Sequence, residues 1–301
     1  MEINITYTVT IIVPFYNQEN VAEHTICSLL KQEYPEESLN FIFIDDGSKD
    51  STNKILKKFV QDPRITLIFF PENRGRSASR NAGIASANSE LIGFLDGDMT
   101  VEPDWLQLLT DRLDKNVVGV MGDSRLPIDA APNLLDRYFY SFYRGARQIG
   151  ENKPLYFRWF LFNNTVIRCS ALKMIGNFDN AFTTYGGEDT DLAIRLWEAY
   201  PNGLRFSSQA VSEHHHKREV DEFCKSMYYY GKNNLPILLK KYPQYKDDLG
   251  GDWIYTLKGL FLFNPIVRWF VGLLNRYLSN FFLTRYMVID AVIRGARSST
   301  L

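Results

Sequence analysis

Five short apolar runs, separated by helix-length stretches, constrain this chain more than anything else in it. The runs are 9–13, 41–44, 65–70, 91–95 and 117–121. Between them the spacing predicts a helix capped within Asn17 to Asn20 and running to about Gln32, then helices over 53–60, 77–86 and 104–113. Strands alternating with helices in this way give an α/β fold whose sheet is parallel and whose crossovers are right-handed. The first run is β-branched and is expected to end at Pro14, which has no N–H to give the ladder. The first four runs each end in polar residues: Asn17, then Asp45 and Asp46, then Asn73, then Asp96 and Asp98. In a parallel sheet these ends converge on one edge, so four separate segments line one crevice.

The fourth run stops abruptly at Asp96-Gly97-Asp98. Two hard oxygen donors with a small residue between them suit Mg2+ or Mn2+, and a cation held there would also hold a diphosphate. A polar turn carrying two solvated acids is the other reading of the bare pattern. The turn after the first run lacks the glycines of the dinucleotide fingerprint, and no Gly-Lys-Ser/Thr loop occurs, which disfavours hydride transfer and P-loop chemistry. The 34 basic and 35 acidic residues nearly balance, so a broad nucleic-acid footprint is not expected. Cys27, Cys169 and Cys224 form neither a disulfide framework nor a zinc pattern, which suits a reducing, cytoplasmic compartment. Without a basic region at the N-terminus, 9–13 is expected to be a strand and not a signal peptide. No uncharged apolar run reaches the roughly 18 residues that a spanning helix needs.

Five pieces occur in order over roughly residues 8–216: Val13-Pro14-Phe15-Tyr16-Asn17; Ile44-Asp45-Asp46-Gly47-Ser48 with Asp50-Ser51-Thr52; Asn73-Arg74-Gly75 with Ser79-Arg80-Asn81-Ala82-Gly83; Phe94-Leu95-Asp96-Gly97-Asp98; and Gly186-Gly187-Glu188-Asp189. Together they resemble glycosyltransferase family 2, inverting enzymes of the GT-A fold. The resemblance implies a GT-A domain over 1–216, with about 1–122 binding a nucleotide-sugar and about 123–216 serving the acceptor, followed by a helical region over 217–301. It implies that Asp46 accepts a hydrogen bond from the nucleotide base, although Asp-Gly-Ser is also ordinary turn material. Pro14, Tyr16 and Asn17 would wall the base and ribose, with a core position the alternative for Tyr16. Asn73 would shape the next turn, and Arg80 would balance the diphosphate charge or lie on the surface. Asp98 is assigned to the metal and Asp96 to the ribose or a metal-bound water. Glu19 reads more simply as a helix-start acid.

The same resemblance makes Asp189 the base that removes a proton from an acceptor hydroxyl, with Glu188 as the other candidate. Both fall in the first turn of a helix, where the dipole keeps carboxylates ionised. Asp191 precedes Arg195 by four residues and reads as an intrahelical ion pair. Asn163 or Asn164 either meets a sugar hydroxyl or turns the chain. Family members often place a metal or diphosphate ligand near His214-His215-His216; His216 is chosen first and His214 second. The implied partners are a nucleoside-diphosphate sugar and a glycan, lipid-linked or other hydroxyl acceptor, with Mg2+ or Mn2+ as cofactor. A nucleotidyltransferase of similar fold and a catalytically silent membrane-docked scaffold are the rivals.

A helix is expected over 134–147, and Phe223, Met227 and Tyr230 form a helical stripe that Gly231 to Asn234 breaks. From Trp253 to Arg297 an aromatic and aliphatic segment is punctuated by six basic residues against the single acid Asp290. That is the pattern of a helix lying in a membrane interface, peripheral on the inner face of the plasma membrane. Packing on the catalytic domain or on another protomer, as a homo-oligomer, is the alternative.

Overall fold

A computed structural model describes residues 6–151, 153–215, 217–278 and 280–299. Its strands are β1 (Val9–Phe15), β2 (Leu39–Asp45), β3 (Ile65–Phe69), β4 (Leu91–Leu95), β5 (Met99–Val101), β6 (Gly119–Arg125), β7 (Asn164–Arg168) and β8 (Leu204–His214). The helices begin with α1 (Ala22–Leu30), α2 (Thr52–Lys57), α3 (Arg76–Ser86), α4 (Trp105–Thr110), α5 (Leu134–Phe139), α6 (Cys169–Ile175) and α7 (Glu188–Ala199). They continue with α8 (Val220–Tyr229), a π turn (Tyr230–Asn234), α9 (Leu235–Lys241), α10 (Asp252–Tyr255), α11 (Leu257–Leu262), α12 (Pro265–Leu278) and α13 (Phe281–Arg297).

The chain divides into two units, Met1–Pro127 with Gly145–Asn180 and Leu192–His216, and Ile128–Arg144 with Ala181–Asp191 and Lys217–Leu301. The first unit holds the whole sheet, in the order β3-β2-β1-β4-β7-β6-β8-β5. β3, β2, β1 and β4 run parallel, as the alternating pattern predicts. β7 then enters antiparallel between β4 and β6, and β5 pairs antiparallel with β8. Four of the seven pairings are therefore parallel, and the sheet is mixed beyond β4. β1 continues through Pro14 to Phe15, contrary to expectation. Its pairing with β4 has already ended at Ile12, and Pro14 pairs only with Ile44 of β2. The apolar faces of β1, β2 and β4 close on α1, α2 and α4 around Ile11, Phe15, Ile26, Phe43, Leu95 and Trp105.

Asn164 ties this sheet together. It is fully buried on β7, its Oδ1 accepts from the Trp105 indole at 2.8 Å, and its Nδ2 donates to the carbonyls of Asp123 and Ala210 and to Ser212 Oγ. One amide thus satisfies groups on α4, β6 and β8, which removes it from any sugar-binding role.

The second unit is helical. α5 is shorter than the expected 134–147 helix; Asn133 and Asp136 start it with a reciprocal cap, and it stops at Phe139. Leu135, Tyr138, Val220, Phe223 and Val288 form one core cluster, and Leu235, Ile254 and Ala296 another. α13 is thus a core helix of its unit. Among the described residues no helix is long and apolar enough to cross a membrane.

Replacing Asn164 with alanine removes the partner of the Trp105 N–H and the Asn164 donor of the Ala210 carbonyl, and leaves Asp123 O with Ser212 Oγ at 3.5 Å. Each group left without a partner costs about 1–3 kcal/mol. We expect the thermal transition of Asn164→Ala to fall by about 6–12 °C, measured by calorimetry.

Candidate active site

The loops that follow β1 to β4 lie at one edge of the sheet in the first unit, and hydrogen bonds join them. Asp46 N donates to Phe15 O, and Phe70 N donates to Asp45 O. Asn17 does not cap α1. It adopts a left-handed conformation (φ 52°), accepts from Lys49 N at 2.8 Å and donates its own N–H to Ser48 Oγ. Glu19 is likewise held by the second loop, with Oε2 accepting from Ser51 N at 2.9 Å. Tyr16 is exposed here, so it is not a core aromatic.

Asp46 is buried, and the turn after β3 wraps it. Its Oδ1 accepts from Arg74 N at 2.7 Å, and its Oδ2 from Gly75 N and Asn73 Nδ2, each at 3.0 Å. Burial raises its pKa above the ordinary carboxylate value, against the pull of the Arg74 and Gly75 amides. The next residue must be glycine: φ is +71°, and a Cβ would stand 2.3 Å from the Glu72 backbone. Two residues beyond Gly75, the buried Ser77 Oγ has no hydrogen-bond partner among the described residues, which leaves a polar group available at the start of α3.

Arg80 is not a surface arginine. It is fully buried, between the rings of Phe94 and Phe178, and its Nη2 donates to Asp96 Oδ1 at 3.0 Å and to Phe162 O at 3.1 Å. The guanidinium therefore fixes one carboxylate of the Asp-Gly-Asp turn from beneath. The other, Asp98 Oδ2, lies 3.3 Å from His214 Nε2, and Asp98 O accepts from His215 N. Burial alone would lower the His214 pKa; the hydrogen bond and charge of Asp98, with Asp96 behind it, outweigh that and raise it. His215 turns away to Thr100 Oγ1 at 2.7 Å. His216 lies outside the described residues.

The described residues contain no group of three His, Cys, Asp or Glu side chains placed around one ion. Mg2+ and related cations are commonly held by one or two protein ligands together with substrate phosphates, not by a full protein cage. A carboxylate and an imidazole 3.3 Å apart, with Asp96 nearby, fit that mode.

The second unit holds the Gly186-Gly187-Glu188-Asp189 sequence. Both glycines have positive φ, and a Cβ at Gly187 would press on the Phe182 ring at 2.9 Å. Asn234, buried in the π turn, donates to the carbonyls of Thr184 and Gly186 and so fixes the loop that launches α7. Glu188 is buried beside Tyr230, whose own pKa is driven up by burial and by that acid. Asp189 is partly exposed. Asp191 accepts from Lys241 Nζ at 2.5 Å and Tyr242 Oη at 2.7 Å, partners that helical spacing does not reveal, while Arg195 donates to the carbonyls that end α6. Sequence reasoning missed Asn234, although a polar run inside an apolar helical stripe marked its position.

The sequence profile of glycosyl transferase family 2 matches residues 10–173, and that of the N-terminal domain of galactosyltransferase matches 161–218. The pre-mycofactocin glycosyltransferase of Mycobacterium tuberculosis is 26% identical over 236 residues, covering 77% of this chain and 48% of that protein. Validoxylamine A glucosyltransferase of Streptomyces hygroscopicus subsp. limoneus is 24% identical over 283 residues, covering 84% and 60%. The chain spans about half the length of the curated relatives it matches. Among solved structures, the mannosyltransferase PcManGT from Pyrobaculum calidifontis, in complex with GDP-Man and Mn2+, is similar with a TM-score of 0.63 at 17% identity, covering 97% of this chain and 88% of that one. S. aureus TarS 1–349 in complex with UDP-GlcNAc gives 0.54 at 19%, covering 97% and 91%. The fold is the GT-A fold with C-terminal helices.

The cradle around Asp46 makes a local prediction. Asp46→Ala removes the acceptors of the Arg74 and Gly75 amides, so their hydrogen exchange should quicken by about 10–100-fold with the sheet amides unchanged. Unchanged protection at 74 and 75 would show that the turn holds itself.

Proposed function

The chain belongs to glycosyl transferase family 2, and from that premise we propose that it transfers a sugar from a nucleoside diphosphate to a hydroxyl of a glycan or lipid-linked acceptor, with inversion at the anomeric carbon. The observation that carries this reading is the joining of four loops at the carboxyl edge of β1 to β4, which brings the Asp46 cradle, the Arg80–Asp96 pair and the Asp98–His214 pair to one edge of the sheet. Two structural relatives described with GDP-Man and Mn2+ or with UDP-GlcNAc support a donor of this class.

In this reading Asn17, Tyr16 and Pro14 with the Asp46 turn receive the base and ribose. Asp46 itself serves chiefly by holding the 73–75 turn in shape. Asp98 and His214, backed by Asp96, would hold a divalent cation, whose Lewis acidity neutralises charge developing on the departing diphosphate. Asp189 takes the acceptor proton as the acceptor oxygen bonds to the anomeric carbon. The bond from that carbon to the diphosphate oxygen breaks, and the nucleoside diphosphate leaves with the electron pair. Glu188, buried beside Tyr230, is a supporting residue of the loop and not the base.

Incubation with UDP- and GDP-sugars and Mn2+ should release the nucleoside diphosphate from at least one donor. Release of pyrophosphate from a nucleoside triphosphate and a sugar phosphate, with no such hydrolysis, would favour a nucleotidyltransferase instead. Asp189→Asn should lower kcat by about 10²–10⁴-fold while leaving donor affinity unchanged in calorimetry. Asp98→Ala should abolish the Mn2+-dependent part of nucleotide binding; an undiminished thermal shift with nucleotide and Mn2+ counts against that assignment.

A further inference from the structure

Of the 21 large apolar side chains exposed among the described residues, eleven fall between Tyr255 and Phe282. Leu257 is 86% exposed, Phe261 76%, Ile266 80% and Trp269 69%. On α12 the exposed residues Ile266, Trp269, Phe270, Leu273 and Tyr277 follow helical spacing and make one face. The opposite side of α12 meets α13 through polar groups: Asn275 Nδ2 donates to Thr284 Oγ1 at 3.2 Å, and Arg268 Nε donates to Asp290 Oδ2 at 2.6 Å. The helix is inside out for water, with polar groups inward and aromatic rings outward. A contiguous apolar surface of this kind marks a contact site.

Charge names the occupant. Lys258, Arg276 and Arg285 are exposed in the same segment. The one acid between 253 and 297, Asp290, is buried and shared by Arg268 and Arg294. The patch thus presents aromatic rings and aliphatic side chains among exposed cations and no exposed acid. We propose that α11 and α12 seat this chain on an anionic membrane surface, with the rings at the level of the headgroups and Lys258, Arg276 and Arg285 among the lipid phosphates. At 14 residues α12 is too short to span, so it lies along the interface. Arg285 stands exposed near the start of α13, whose buried residues from Val288 to Ala296 keep the rest of that helix in the core of its unit. This inference goes beyond the transferase reading and does not depend on it.

Sedimentation of the full chain with vesicles, without any nucleotide, tests it. Wild type should sediment with phosphatidylcholine vesicles containing about 30% phosphatidylglycerol, and less with phosphatidylcholine alone. Phe261→Ser with Trp269→Ser should reduce that partition by about tenfold or more. The replaced rings are exposed, so the circular dichroism should not change. Lys258→Glu with Arg276→Glu should reduce binding to the anionic vesicles only, and about 1 M salt should do the same to wild type. Wild type left in the supernatant with both vesicles overturns the proposal. So does a wild-type dimer that the ring substitutions split while vesicle partition stays as it was, because the patch would then cover a second copy.

Discussion

A carboxylate withdrawn from water has to be given donors or an opposite charge, because the desolvated anion is otherwise too costly to keep. The site edge of the first unit is organised by that requirement. Asp45 is met by Ser48 N and Asn53, Asp46 by the 73–75 turn, Asp96 by Arg80, and Asp123 by Arg125 and Arg147. Asp46, Asp96 and, through Arg147, Asp123 take donors from other segments of the chain, so satisfying these acids also fixes one segment against another, whereas Asp45 is met within its own connection. The second unit uses the same device, with Asp191 held by Lys241 and Tyr242 and Asp290 by Arg268 and Arg294. The shape of the crevice follows from where the buried acids are.

The parallel half of the sheet was legible in the sequence because its signal is local. The apolar runs 9–13, 41–44, 65–70 and 91–95 form strands within two residues of their expected limits. The polar residues at their ends fall where the pattern places them. β5 and β7 were not legible as to pairing, since an antiparallel strand inserted between β4 and β6 depends on contacts distant in sequence. The site residues divide in the same way. Asp46, Asp96 and Asp98 could be found by type and position. The burial of Arg80, the four-way role of Asn164 and the lock that Asn234 places on the 184–186 loop are tertiary facts, and no spacing rule contains them.

The C-terminal segment shows what composition alone leaves undivided. From Trp253 to Arg297 the pattern of rings and basic residues looks uniform, yet the structure splits it. α13 carries Val288, Ala291, Ile293 and Ala296 into the core of its unit, and Asp290 with them. α12 turns its apolar side outward. The basic residues divide too: Arg268, Arg294 and Arg297 are used up by Asp290 and by backbone carbonyls, leaving Lys258, Arg276 and Arg285 exposed.

α13 crosses α8 and the π turn at backbone contact, since a Cβ at Gly231 would lie 2.0 Å from Val292 O and one at Gly295 would lie 1.9 Å from Tyr228 O. At these two glycines no side chain separates the backbones, while Val220, Phe223 and Val288 pack between α8 and α13 elsewhere. α12 is bolted to α13 by an amide–hydroxyl bond and a shared acid, and the π turn grips the glycine loop through Asn234. Within the helical unit a continuous series of contacts thus runs from α12 through α13 and the π turn to the loop that starts α7.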